Sequence, residues 1–345
     1  MRAPFKLAGE IVPPGQRRII DIPLSMMSDH TPATLSVQVL HGVREGPTLF
    51  VSAAIHGDEI IGVEVVRRLA QAAALKRIAG TILLIPIVNA FGFIGQSRYL
   101  PDRRDLNRSF PGSESGSLAS QLAYRFLNDI VARCDYGIDL HSAAIHRVNF
   151  PQIRINPQDK MALELAQAFS PPVILHSSLR EGSLRKAAWE LDVPVLVYEA
   201  GEALRFDEYA IRVGLKGVLK AMKHLRMIST RGAEARFVET PVVTKSIWVR
   251  APAGGILRTL RTVGDSVAEG ELIGLLSDPF GEMEMAVVAT APGIIVGRTN
   301  LPVINQGDAL FHIAILPRNV KAGDVMDAIE QDIAGDPLTD EDQII

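Results

Sequence analysis

The 345-residue chain has a single cysteine, Cys134. That excludes an internal disulfide framework and favours a reducing compartment, so a cytoplasmic location is expected. An excess of one charge is also missing. Lys and Arg number 36 against 39 Asp and Glu, a net charge of −3, which gives no whole-chain case for nucleic-acid binding. Long apolar runs are absent too. The longest charge-poor stretch, Ile78–Ser97, is long enough to raise the question of a membrane span. It contains Gly80, Pro86, Asn89, Gly92 and Gly95, and so reads as a buried strand, Ile82–Ile87, followed by a loop. Met1–Glu10 mixes Arg2, Pro4, Lys6 and Glu10 and reads as no secretory signal. No Gly-x-Gly-x-x-Gly follows the first strands, which weighs against a dinucleotide binder. What is present is 47% hydrophobic and 22% charged, enough for a substantial core. The length suggests about two domains.

Strand-like and helix-like segments alternate from about Leu35 to Met227. Strands are expected at Leu35–Leu40, Thr48–Ala54, Ile82–Ile87, Tyr136–Leu140 and Pro194–Tyr198. Helices are expected at Ile60–Ile78, Leu118–Ala132, Asp159–Phe169, Ser183–Leu191 and Glu208–Leu225. Ile61, Val65, Leu69 and Ala73 recur at helical spacing in the first of them. This alternation, with near-continuous apolar strands, argues for an α/β domain with helices on both faces of its sheet. It spans residues 1–228, with 1–34 as an N-terminal extension packed on it. Ligands of such sheets bind at the C-terminal ends of strands.

Composition changes after Ser229. Residues 229–320 have turn glycines at short intervals, β-branched runs and no long helical pattern, and read as a separate all-β domain of barrel-sandwich type. Ala251-Pro252…Gly264-Asp265 and Ala291-Pro292…Gly307-Asp308 form a weak internal duplication. The pattern resembles biotinyl/lipoyl carrier domains, which load a cofactor on a lysine at a hairpin tip. Here that tip reads Glu282-Met283-Glu284-Met285, and no lysine lies between Lys245 and Lys321; a lysine-linked carrier is excluded. Residues 321–345 carry one lysine and eight acidic residues, an acidic helix or tail that leaves a modest positive excess elsewhere.

The chemistry-bearing residues gather at predicted strand ends. His56-Gly57-Asp58-Glu59 lies between a strand and a helix, and zinc accepts His nitrogen and Glu oxygen at roughly 2.0–2.2 Å. Tyr136-Gly-Ile-Asp139-Leu140-His141 offers a third ligand, with His146 as a competitor further past the strand. Two His and one Glu with an open fourth position make a hydrolytic zinc site. A loop, Ser97–Arg108, holds four arginines together with Asp105 and Asn107. Arginine forks match carboxylates bidentately, and Asp105 can orient an Arg or a metal-bound His. Glu199 closes the apolar strand Val195–Tyr198, which is costly for a carboxylate unless it is paired or solvated in a cleft. It is read as the base acting on water at the metal.

Together these motifs resemble, in order over Leu35–Leu225, the succinylglutamate desuccinylase/aspartoacylase family, a branch of the zinc carboxypeptidase-like superfamily. The resemblance implies that family's mixed sheet, often followed by a β-rich C-terminal domain. It implies one zinc per chain on His56, Glu59 and His141, with Glu199 as general base and then acid. It further implies Arg98 as oxyanion stabiliser and Asn107 with Arg108 as the clamp for a substrate carboxylate. Arg180 and Arg185 are two candidates for the residues that in that family recognise the acyl group, and Arg185 is taken as substrate-binding. The expected activity is hydrolysis of the amide bond of a small anionic N-acylated amino acid, with no nucleic-acid or membrane partner; a homo-oligomer is compatible. The alternatives are a metallocarboxypeptidase acting on peptides and a non-catalytic binding protein.

Overall fold

The computed structural model describes residues 2–229 and 240–317; the acidic segment 321–345 lies outside them. The main sheet is built from Gln16–Met26 (β1), Pro32–His41 (β2), Arg44–Ala53 (β3), Ala79–Ile85 (β4), Tyr136–Ala143 (β5), Arg147–Ile155 (β6), Val173–His176 (β7) and Val195–Glu202 (β8). Ser246–Arg250 (β9), Gly293–Thr299 (β10) and Ala309–Ala314 (β11) extend it. Its principal path runs β9-β11-β10-β6-β8-β5-β3-β4-β2-β1. The centre is parallel, with β8 against β5, β5 against β3 and β3 against β4. The flanks are antiparallel.

The helices Ile61–Gln71 (α1), Leu118–Arg125 (α2), Lys160–Phe169 (α3), Leu184–Trp189 (α4) and Glu208–His224 (α5) cover the sheet. The central strands show why. In β3, Leu49, Val51 and Ala53 pack with α1, α3 and α5 on one face, while Phe50 joins Phe126 and Leu184 on the other. A strand buried on both faces must be nearly all apolar. Tyr198 is fully buried in the first core and donates its hydroxyl to the Ala210 carbonyl at 2.6 Å. Helix starts are fixed by Asp159, Ser183 and Asp207, whose side chains accept from backbone N–H groups of the first turns.

Several features depart from the sequence expectation, among them the expected helix Ile60–Ile78, which is α-helical only over Ile61–Gln71, and the strand Val173–His176, which had no expected counterpart. Residues 1–34, read as an extension packed on the domain, supply β1, which pairs with β2 from Gln16 against His41 to Met26 against Pro32 and forms the sheet edge. The expected helix Leu118–Ala132 is α-helical only to Arg125 and continues as a π turn and a 3-10 turn. Strand β6 has no counterpart in the sequence reading, because a register shift opposite Glu199–Gly201 breaks its period-two pattern.

The C-terminal region joins the main sheet directly. Gly297, Arg298 and Thr299 of β10 pair antiparallel with Asn149, Val148 and Arg147 of β6, which covers an edge that would otherwise be open. A second, four-stranded antiparallel sheet, including Gly255–Thr259, Leu272–Ser277 and Glu284–Val288, completes the β region around Leu257, Leu276 and Phe311. Among the described residues, no helix is long and apolar enough to cross a membrane.

Candidate metal centre and catalytic cleft

The C-terminal ends of β3, β5 and β8 lie side by side. Beyond β3 the chain turns sharply through Ala54, at φ +52°, into the segment that precedes α1. A β-carbon at Gly57 would come within 2.0 Å of the Gly92 backbone, so only glycine allows this close approach. The turn sets His56 and Glu59 facing β5. There Asp139 and His141, two residues apart, share one sheet face, and His141 is in register with Glu199 of β8.

His56, Glu59 and His141 are all buried, and their candidate ligand atoms lie within 4.8 Å of one another. Both imidazoles turn Nδ1 toward the same carboxylate: His56 Nδ1 is 2.7 Å from Glu59 Oε1, and His141 Nδ1 is 2.8 Å from Oε2. Each Nε2 meets a different carboxylate, His56 on Asp105 Oδ1 at 3.2 Å and His141 on Asp139 Oδ2 at 2.7 Å. A neutral imidazole has one N–H. If the outer carboxylate takes it, the inner nitrogen presents a lone pair to a carboxylate oxygen, an arrangement that calls for a cation between them. His56 Nδ1 indeed has no hydrogen-bond partner despite its short approach to Glu59. The N, N, O donor set, its burial and its outer carboxylates fit zinc.

The electrostatics follow. Burial works to raise the Glu59 carboxyl, but His56 and His141 overcome it and hold it below the ordinary carboxylate range. Burial likewise opposes charge on His141, yet Asp139 and Glu59 lift it well above an ordinary imidazole. Asp139 is itself held by the Ser52 hydroxyl at 2.8 Å, from the paired strand β3.

The arginine loop folds back onto this cluster. Asp105 accepts from His56 through Oδ1 and from Arg98 Nη2 at 2.9 Å through Oδ2; its Oδ1 also accepts from the Asn107 N–H at 2.8 Å. Burial works against its charge, but His56 and then Arg98 keep the carboxyl low. Arg98 also places Nη1 3.2 Å from Glu59 Oε1. Asn107 Oδ1 accepts from the Leu184 N–H at the start of α4, which ties the loop to that helix. Arg108 is exposed. Arg185, one residue into α4, donates to Ser177 Oγ and the Ser178 carbonyl. Burial, followed by the charge of Arg154, pushes its pKa down to about 10.

Glu199 stands on the same face. Asn149 Nδ2 donates to its Oε2 at 2.9 Å, and Arg154 Nη1 lies 3.2 Å from its Oε1. Both come from β6, the strand that sequence reasoning passed over. The run Arg147-Val-Asn149-Phe150…Gln152-Ile153-Arg154-Ile155 does alternate on either side of Pro151, which was the available signal. His146, the competitor for the third ligand position, is exposed at φ +65° beyond β5 and outside the cluster.

Residues 45–225 match the family described as the succinylglutamate desuccinylase/aspartoacylase catalytic domain. The chain belongs to this family. Members and neighbours of the succinylglutamate desuccinylase/aspartoacylase group recur among its relatives. An N-alpha-acetyl-L-2,4-diaminobutyric acid deacetylase of Halomonas elongata is 26% identical over 290 residues, covering 78% of this chain and 82% of that protein. The product-bound ectoine utilization protein EutE (DoeB) of Ruegeria pomeroyi superposes with a TM-score of 0.78 at 21% identity, covering 91% and 99% of the two chains. A succinylglutamate desuccinylase/aspartoacylase structure from Rhodobacter sphaeroides gives 0.77 at 22% identity, covering 87% and 95%. These neighbours share the fold of the chain over most of its length.

Proposed function

We propose that the chain is a zinc-dependent hydrolase that cleaves the amide bond of an N-acylated amino acid or a related small carboxylate. The observation that carries this reading is the pair of inward-facing Nδ1 atoms on one buried glutamate, with Glu199 in register beside them. Family membership and the Halomonas deacetylase support the same reaction class.

His56, Glu59 and His141 would hold one zinc ion, which when bound polarises a carbonyl and acidifies water. Glu199 takes the proton of the attacking water and returns it to the leaving amine. Asn149 and Arg154 fix the orientation of that carboxylate. Arg98, anchored by Asp105 at the edge of the cluster, donates to the carbonyl oxygen as it gains charge. Arg108, with the Nδ2 group of Asn107, clamps the substrate carboxylate, while Asn107 Oδ1 keeps the loop on α4. Arg185, close enough to Glu199 for the two charges to influence each other, adds to substrate binding.

Metal analysis combined with a hydrolysis panel of N-acyl amino acids and short peptides tests the proposal. One zinc per chain and release of free amino acid from the N-acyl compounds are expected. Turnover of none of them, or a protein without stoichiometric metal, would return the chain to a binding role.

A further inference from the structure

The four-stranded sheet of the C-terminal region ends in a strand that has a neighbour on one side alone. Among the described residues, Glu284–Val288 pairs only with Leu272–Ser277. The carrier-domain pattern puts Glu284 and Met285 at a hairpin tip; they begin this strand instead, and the turn before it spans Asp278–Met283. Asp278 holds that turn, accepting from the Gly281 N–H through its carbonyl and from the Glu282 N–H, at 2.9 Å, through its side chain. The turn nevertheless presents Phe280 at 86% exposure and Met283 at 62%.

Open strand edges normally carry features that repel another strand: short length, lysine, proline or a bulge. The main sheet has them. Its edge β1 bears Arg17, Arg18 and Pro23, with a register shift beside Pro23, and the opposite edge, β9, follows Lys245 and ends in Arg250. The far edge of the small sheet, Val303–Ile304, is only two residues long. The strand Glu284-Met-Ala-Val-Val288 has no lysine and no proline, and the register shift beside it falls in its neighbour. Its one charge, Glu284, lies 3.9 Å from Arg258 of the same sheet.

The hydrogen bonding decides which residues reach outward. The Met283 carbonyl accepts from the Asp278 N–H at 3.2 Å, and Met285 and Val287 lie opposite Leu276 and Gly274. Antiparallel alternation turns the N–H and C=O groups of Met285 and Val287 inward, and those of Glu284, Ala286 and Val288 outward. The side chains of these last three share one face, and all are exposed.

We propose that this edge joins two copies of the chain, pairing antiparallel about a two-fold axis at Ala286. Each Ala286 then opposes its equivalent, and each Glu284 opposes a Val288, so every outward-facing residue gains a backbone counterpart. Small side chains meet at the axis. Centring the pair on Glu284 would set two carboxylates face to face, which selects against that register. The apolar residues at the two ends point to the same partner. Leu272, beside Val288, is 40% exposed at one end, and Phe280 and Met283 stand at the other. Self-pairing lays each end of one copy against the opposite end of the second, so one interface covers both.

Sedimentation velocity on the full chain, from about 1 to 100 µM, tests the proposal. The wild type should be dimeric at the upper end of that range. Ala286→Pro removes an outward N–H, a change that an edge strand tolerates, and should be monomeric throughout. Ala286→Lys sets two ammonium groups across the axis and should weaken association roughly 100-fold. Ala286→Glu should do the same, and mixing these two variants should restore the dimer. That rescue reads the register itself, which a loss of folding does not imitate. A wild type that is monomeric throughout the range overturns the proposal. So does a dimer that survives Ala286→Pro and Ala286→Lys, or an equimolar mixture of Ala286→Lys and Ala286→Glu that stays monomeric.

Discussion

His312 should make the protein sensitive to mild acid, by an amount that its surroundings set. The ring is 9% exposed and stacks on Trp248 at 4.4 Å between centroids, with Arg147 5.5 Å from the tryptophan ring. Burial, helped by Arg154, pushes its pKa down to about 4. In the unfolded chain the imidazole returns to about 6.5. Between these values the unfolded chain binds a proton that the folded protein refuses, so stability falls as pH drops from about 6.5 toward 4. The loss from this residue is about 2 kcal/mol at pH 5 and levels off near 3 kcal/mol below pH 4. His312→Phe keeps a ring against Trp248 and removes the titration. Urea unfolding at pH 7 and pH 5, with chelator present in both proteins, should show the wild type losing about 2 kcal/mol more than the variant. An identical pH dependence in the two proteins would refute the buried, Arg154-facing setting assigned to His312.

Two further substitutions probe the framework of the site. Asp139→Asn removes the charge that holds His141 Nε2, so zinc affinity should fall roughly 10- to 100-fold in competition with a chromophoric chelator; unchanged affinity would separate Asp139 from the metal centre. Tyr198→Phe deletes a buried hydroxyl that donates to the Ala210 carbonyl and should cost about 1 kcal/mol in denaturant titration. A neutral result would show that water or another group replaces that bond.

The candidate metal corner is legible in the sequence because it is local. His56 and Glu59 are three residues apart on one turn, and His141 and Glu199 end apolar strands that parallel pairing brings into register. Asp105 was readable for the same reason, sitting in a short loop with Arg98 and Asn107. Strand β6 was not legible. Its register shift moves Asn149 and Arg154 onto the Glu199 face although five residues separate them, a spacing that a regular strand would send to opposite faces. The continuity of the sheet into the C-terminal region was hidden too, since composition marks a change at Ser229 but cannot show that Gly297 will lie against Asn149. The edge strand Gln16–Met26 escaped because its outer residues are mostly exposed and polar, leaving only Ile20 and Ile22 buried to signal it.

The most direct measurement of the central claim is metal content and turnover determined together on Glu199→Gln. This change removes the carboxylate proposed to accept the proton, while His56, Glu59 and His141 are untouched. One zinc per chain, as in the wild type, is expected, with kcat lowered roughly 10²- to 10⁴-fold on the best N-acyl substrate. Near-normal turnover by a zinc-loaded Glu199→Gln protein would contradict it.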